Sequence, residues 1–259
     1  MRALVTWFFA LALFAASCAG CSHVAPPKAA QRLTFAEQLQ RESVALVNAD
    51  DDDSKVAVPY CTGIWVDKTH ILTAGHCVEP DMPDELKKLF PDGVNIKISP
   101  MNRKVLYATY DDMDHGDMLS ADKARPALVT AYDPSIDLAL IEAPTAGSHP
   151  VVDLNASDPH PGDTLHLVGH TVTLPWTYME GPVSMLRFTD AGHEYPRKVH
   201  LVQASVPAWS GDSGGGAFDD QGHLVGIALF VFKRGPNLSF FIGRQEIDGF
   251  LVSNHVAVP

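Results

Sequence analysis

Cysteine is scarce in this chain: 4 in 259 residues, of which Cys18 and Cys21 sit near the start. That excludes a small fold stapled by many disulfides. Neither Cys61 nor Cys77, the two left for the body of the chain, lies in a Cys-x-x-Cys unit, and no His-Glu-x-x-His string occurs. No metal signature is therefore legible, and no cofactor motif, so the expectation is a protein without either. Basic residues are outnumbered, 19 Lys and Arg against 31 Asp and Glu, for a formal net charge of −12. That deficit argues against a nucleic-acid partner, whose phosphates call for clustered cations. No apolar run reaches the roughly 20 residues of a membrane span. Repeats at a fixed period are missing and helical periodicity is weak, which speaks against solenoids and bundles.

What is present begins with a leader-like order. Met1-Arg2 is a short basic start, Leu4 to Ala16 is almost wholly apolar, and small residues follow from Ala15 to Cys21. This reads as a secretory leader over residues 1–21, with an uncleaved anchor as the alternative. A cysteine just after small residues resembles a bacterial lipoprotein processing site. Ala16-Ser17-Cys18 would make Cys18 the lipidated residue, and Ala19-Gly20-Cys21 would make it Cys21. The expectation is export, either as a periplasmic or cell-envelope lipoprotein attached to the membrane by an N-terminal lipid, or as a secreted protein. Residues 22–42 read as a linker and N-terminal segment: a small, polar, Pro-containing tether, then a weak helical pattern over Gln31–Arg41.

From Ser43 onward the chain is a succession of short strand-like segments with Gly and Pro turns. Ser43–Val47, Cys61–Val66, Ile71–Ala74, Val94–Ile98, Val105–Tyr110, Ala127–Ala131 and Leu138–Ile141 make a first set. A short helical insertion, Asp84–Leu89, interrupts it, and two acidic loops, Asp50–Asp53 and Asp111–Asp117, read as solvated turns. A Pro-, Ala- and Ser-rich connector from Pro144 to Pro161 is the natural join. Leu165–Gly169, Met179–Leu186, Val199–Ala204, Gly216–Phe218, Leu224–Phe232 and Leu238–Ile242 make a second set. This pattern predicts an all-β barrel or sandwich. The histidines at 149, 160, 166, 170, 193, 200 and 223 share no ligand spacing and read as solvated or hydrogen-bonded.

One stretch demands more than packing: Gly211-Asp212-Ser213-Gly214-Gly215. Glycine tolerates positive φ and close approach of other groups, so a turn this rich in it can aim successive backbone N–H groups into one hollow. An acyl-transfer nucleophile needs such a hollow for the negative charge that develops on the substrate oxygen. Ser213 is then the candidate nucleophile, and the N–H groups of Gly211 and Ser213 the candidate oxyanion hole. A serine also needs an oriented base. Thr73-Ala74-Gly75-His76-Cys77 follows an apolar run and supplies His76. Ser135-Ile136-Asp137 heads the apolar run Leu138–Ile141 and supplies Asp137, a carboxylate that needs a hydrogen-bond donor to persist in such a setting. Asp133 is the backup, although Asp133-Pro134 reads as a turn.

These three motifs in the order His, Asp, Ser resemble the chymotrypsin-like (trypsin-fold) serine peptidases, above all the bacterial, HtrA-type members. The resemblance covers roughly Ser43 to Phe250 and includes Gly181-Pro182-Val183-Ser184 and Leu224-Val225-Gly226-Ile227. It implies two packed six-stranded antiparallel β-barrels over residues 43–259, the first about 43–145 and the second about 160–250, with the site in the cleft between them. It implies a Cys61–Cys77 bridge pinning the histidine loop, worth about 3 kcal/mol for so short a loop. It implies a serine endopeptidase acting on protein or peptide substrates. The pocket for the residue before the cut would be shaped by Pro207, Ala208, Ala228 and Phe230, an apolar lining that predicts small or medium apolar preference, with Phe230 narrowing it. The chain departs from the family in two respects. No Ile-Val-Gly-Gly-like segment precedes the domain, so Asp212 is expected to have a local partner rather than a new N-terminus. Only Ser253 to Pro259 follow it, so no PDZ domain is expected. Two other readings stand beside this one: a catalytically silent or latent protease-like binding module, and a structural lipoprotein in which His76, Asp137 and Ser213 lie far apart.

Overall fold

The computed structural model describes residues 32–49, 55–80, 99–113, 119–143, 149–190, 198–231 and 237–258. The leader with Cys18 and Cys21, the Asp84–Leu89 helix, the Val94–Ile98 strand and the acidic run at 50–54 lie outside them, as does the side chain of Phe230.

Among the described residues, thirteen strands build two barrels. The first contains β1 (Ser43–Ala49), β2 (Val56–Trp65), β3 (His70–Ala74), β4 (Lys104–Thr109), β6 (Arg125–Asp133) and β7 (Leu138–Glu142). They run in the order β1-β4-β6-β7-β3-β2 and close through β1–β2 pairing, with the two-residue β5 (Leu119–Ser120) added at the edge of β2. The second is a closed six-stranded barrel, β10-β13-β12-β11-β8-β9. Its strands are β8 (Thr164–Gly169), β9 (Thr177–Asp190), β10 (Lys198–Ala204), β11 (Gly216–Phe218), β12 (Leu224–Val231) and β13 (Ser239–Gly243). All pairings within both barrels are antiparallel, so the expected double-barrel fold is the observed one. Closure removes the exposed strand edges that an open sheet would carry.

Three apolar clusters explain why β3 and β7 read as unbroken hydrophobic runs. Ile71, Ala139 and Ile141 pack with Val44, Trp65 and Val129 in one cluster, the interior of the first barrel. Their alternating neighbours Leu72, Leu138 and Leu140 belong to another that also holds Val168, Phe218 and Ile227 of the second barrel. Leu165, Leu167, Val202, Ala217 and Phe241 fill the second barrel itself. A strand of period two with one face in its own barrel and the other against a second barrel is buried on both faces.

β9 is longer than the sequence pattern suggests, because it serves two partners in succession. Thr177–Pro182 pairs with β8, and Val183–Asp190 pairs with β10. Among the described residues, two α-helices flank the barrels. α1 (Phe35–Glu42) starts at a capping box in which Glu37 N donates to Thr34 Oγ1 and Thr34 N donates to the Glu37 carboxylate at 2.7 Å. Its Leu39 is fully buried in the inter-barrel cluster, so the weakly periodic segment before Ser43 packs as part of the folded body. α2 (Arg244–Ser253) lies against β10, β12 and β13. The connector bridges the barrels: Val152 N donates to Trp65 O at 2.9 Å and Leu224 N to Asp153 O at 2.8 Å.

Candidate active site

β3 and β7 are antiparallel with Ala74 opposite Leu138. The end of one strand and the start of the other therefore lie together, and the residues just beyond them, His76 and Asp137, meet. His76 sits in a single 3₁₀ turn, Gly75–Cys77. Its Nδ1 lies 2.6 Å from Asp137 Oδ2, and its backbone N–H donates to Asp137 Oδ1 at 2.8 Å. Gly75 N donates to Asp137 O at 2.8 Å. Both carboxylate oxygens are thus satisfied on a side chain that is only 3% exposed, while the His76 ring is 40% exposed. Asp137 pays for this placement with φ of +56°, a left-handed conformation that Asp tolerates better than most residues. Asp133 is the turn residue its Asp-Pro context suggests: its Oδ1 accepts from Ser135 N at 2.8 Å and Ser135 Oγ at 2.6 Å.

The disulfide expected from the resemblance is formed between Cys61 of β2 and Cys77 of the histidine turn, with Cα atoms 6.0 Å apart. Cys61, His76 and Cys77 bring ligand-type atoms within 4.8 Å of one another. Both sulfurs are consumed by the bond, so this trio is no zinc site.

The serine turn of the second barrel rests on the same strands of the first. Thr62 N, next to Cys61, donates to Ser213 O at 2.9 Å, and Cys77 Sγ lies 3.5 Å from that oxygen. Gly214, at φ of +81°, sits so tightly that a Cβ would lie 2.2 Å from both Thr62 O and Thr73 Oγ1. Gly214 N donates to Ala228 O, and Ala228 N to Gly215 O, both at 2.8 Å. The structure therefore brings the His76 turn and the Ser213 turn against each other across the barrel junction. Among the described residues Ser213 Oγ makes no hydrogen bond; in unliganded enzymes such bonds often tighten only when substrate binds.

Peptide orientations follow from the carbonyls, because a trans peptide points its C=O and N–H in opposite directions. Ser210 O accepts from Val172 N at 2.8 Å, which turns the Gly211 N–H away from that loop. Asp212 O accepts from Gly215 N at 2.9 Å, which turns the Ser213 N–H outward in the same way. Neither N–H has an acceptor among the described residues. Two unpaired donors beside a serine are rare where nearly all buried N–H groups are paired.

Asp212 has the local partners expected of it. Its Oδ1 accepts from Thr171 Oγ1 and its Oδ2 from Trp209 N, each at 2.7 Å. Burial pushes its carboxyl up to about 6, against the lowering effect of those two bonds. The loop holding Thr171 is strained: Val172, Thr173 and Trp176 have φ of +49°, +69° and +48°. For β-branched Val172 and Thr173 that costs of order 1–3 kcal/mol each. Of the pocket residues, Ala208 and Ala228 are buried and Pro207 half-buried. Ser239, which the sequence did not point to, donates from Oγ to Val206 O at 2.6 Å beside them. A surface cavity of about 760 Å³ behind the Asp137 turn, lined by Tyr132, Asp133, Ile136, Lys198, His200 and Phe250 among others, includes none of the residues of the serine turn.

Residues 61–227 match the profile described as the trypsin-like peptidase domain. Among solved structures, the fold is similar to the active form of the Rv3671c protease from M. tuberculosis, at TM-score 0.61 and 17% identity over 85% of this chain and 84% of that one. The serine endoprotease from Yersinia pestis superposes at TM-score 0.58 and 18% identity, covering 86% of this chain and 67% of that one. The HtrA-type protease AlgW, solved with a tripeptide, does so at TM-score 0.61 and 16% identity, covering 83% and 60%. A search of curated proteins by sequence returned no match.

Proposed function

The chain belongs to the trypsin-like peptidase family, and on that premise we propose that it hydrolyses peptide bonds through an acyl-enzyme carried by Ser213, His76 and Asp137. The observation that supports this most is the His76–Asp137 pair. The carboxylate holds the Nδ1 side of the ring, and in this reading Nε2 is the nitrogen that accepts the Ser213 proton and later delivers it to the leaving amine. Asp137, nearly out of contact with water, holds the ring in that tautomer and stabilises the imidazolium. The acyl carbonyl oxygen, negative in the tetrahedral intermediate, takes the two free N–H groups of Gly211 and Ser213. Losing one such donor costs about 3–4 kcal/mol of transition-state stabilisation.

For the residue before the cut, the reading is small or medium apolar. Pro207, Ala208 and Ala228 bring no charge to the pocket, and Ser239 spends its hydroxyl on Val206 O. The substrates are proteins or peptides. Export through residues 1–21, with lipid attachment at Cys18 or Cys21 as one route to the envelope, accords with a disulfide in the body of the chain.

The test is labelling of the purified domain by a fluorophosphonate probe, with His76→Ala and Ser213→Ala as controls. Labelling of wild type alone supports the reading. A folded, disulfide-intact protein that stays unlabelled overturns it in favour of a silent binding module, for which the unbonded Ser213 hydroxyl is the one favouring observation. Cleavage of a peptide library dominated by Lys or Arg before the cut would overturn the specificity.

A further inference from the structure

Beneath the serine turn lies a buried hydrogen-bonded pair that the mechanism above leaves unused. Thr62 on β2 of the first barrel and His170 just after β8 of the second are both fully buried. Thr62 Oγ1 lies 2.8 Å from Gly211 O and 2.8 Å from His170 Nδ1. A threonine hydroxyl has a single proton to give. Gly211 O can only accept, and no other donor reaches it among the described residues. The Thr62 proton therefore goes to Gly211 O, and His170 must donate from Nδ1 into the Thr62 lone pair. The opposite arrangement would orphan two buried groups, Gly211 O and a His170 Nε2–H. The one deduced leaves only a bare Nε2, which has no partner among the described residues. A charged ring is disfavoured as well, since burial pushes His170 down to about 3.

The relay acts on a part of the turn that has little intrinsic rigidity. Gly211 sits at φ of +100°, and a Cβ there would lie 2.2 Å from His170 O, so no side chain is available to hold it. A glycine peptide rotates at little cost unless its carbonyl is tied. Asp212 N donates to Trp209 O at 3.1 Å on the far side of the Gly211–Asp212 peptide, and Thr62 ties the near side. The His170 ring is itself oriented. Trp176 packs edge-on against it at 4.9 Å, and Trp176 is gripped by Gln40 Nε2 on its carbonyl and by Ser43 O on its indole N–H.

We propose that His170 is a positioning residue for the oxyanion hole: through the Thr62 hydroxyl it keeps the Gly211 carbonyl turned inward, and so keeps the Gly211 and Ser213 N–H groups aimed at the substrate oxygen. This rests on the function proposed above. It predicts an effect on the transition state and not on substrate binding.

Thr62→Val removes the hydroxyl and keeps the shape; Thr62→Ser keeps the hydroxyl; His170→Phe keeps a buried ring without Nδ1–H. Thr62→Val and His170→Phe are expected to lower kcat about 10- to 100-fold with KM changed by less than about threefold, and to weaken a peptide aldehyde, which forms a tetrahedral adduct, in the same proportion. Thr62→Ser is expected to recover most of the loss. Wild-type kcat in both variants, or a loss carried by KM alone, overturns the proposal. Side-chain ¹⁵N NMR of His170 in the wild-type protein tests it apart from catalysis. A protonated Nδ1 with a bare Nε2 that does not titrate between about pH 5 and 8 supports the relay, and a protonated Nε2 overturns it. Should the wild type fail to label with fluorophosphonate, the function falls while the NMR result still decides the relay.

Discussion

Asp212→Asn is expected to stabilise this protein at neutral pH, although Asp212 accepts two short hydrogen bonds. The carboxyl is 1% exposed and burial raises it from 3.8 to about 6. Two units at about 1.4 kcal/mol each make the ionised form cost about 3 kcal/mol in the folded state. Because the folded value lies above the unfolded one, the native state binds this proton more tightly. Stability contributed by Asp212 is thus full below about pH 4, falls as pH rises through about 4 to 6, and the cost is complete above that. Asparagine can meet the same partners without charge. Its Oδ1 accepts from Trp209 N, and its Nδ2 donates to Thr171 Oγ1, whose own proton turns to Met179 Sδ, 3.5 Å away. Urea unfolding of both proteins from pH 4 to 8, disulfide intact, measures the effect as a difference, in which other titrating groups cancel. The variant is expected to match wild type near pH 4 and to exceed it by about 1–3 kcal/mol at pH 8, with fluorophosphonate labelling retained. A difference that stays flat across that range, or a variant less stable at pH 8, would refute the reasoning.

Glu42 offers the same sign at another site: buried at the C-terminal end of α1, with Oε2 unpartnered among the described residues and its carboxyl raised to about 7, it should yield about 2–3 kcal/mol at pH 8 when changed to Gln, a gain lost as pH falls through about 7 to 4.5. Urea midpoints at the two pH values decide it. Gly214→Ala meets two walls at 2.2 Å, one of them backbone, at a positive φ; it is expected to abolish labelling and cost at least about 2 kcal/mol, and a labelled variant would show that the turn can shift. Replacing both Cys61 and Cys77 by Ala is expected to lower stability by about 3 kcal/mol for a bridge spanning 16 residues, read by denaturation against wild type. Asp137→Asn leaves the geometry but frees the wrong tautomer of His76, and kcat is expected to fall about 10⁴-fold in a peptide-hydrolysis assay.

Much of the fold was legible because strands buried on both faces must be apolar at every position. Ile71–Leu72 and Leu138–Ile141 announce themselves for that reason, and the glycines at 211, 214 and 215 announce a turn where no Cβ fits. The motif residues were legible because their chemistry is local: a serine among glycines, a histidine just past a strand, an acid in an apolar setting. The long β9 was not, since its outer half is defined by a partner strand and its own pattern there is largely exposed at Arg187 and Phe188.

By itself the sequence determined which residue types are available at each motif and that strands, not helices, must bury the core, since period and composition act over a few residues. Only the tertiary structure decided that Thr62 and His170, 108 positions apart, share one proton chain under Gly211, and that Thr171 meets Asp212. Those roles depend on how two barrels dock, and a hydroxyl or an imidazole carries no mark in the sequence of which distant carbonyl or carboxylate it will face. Hydrogen bonds form over about 3 Å of space, and here space is set by the apolar surface between the barrels.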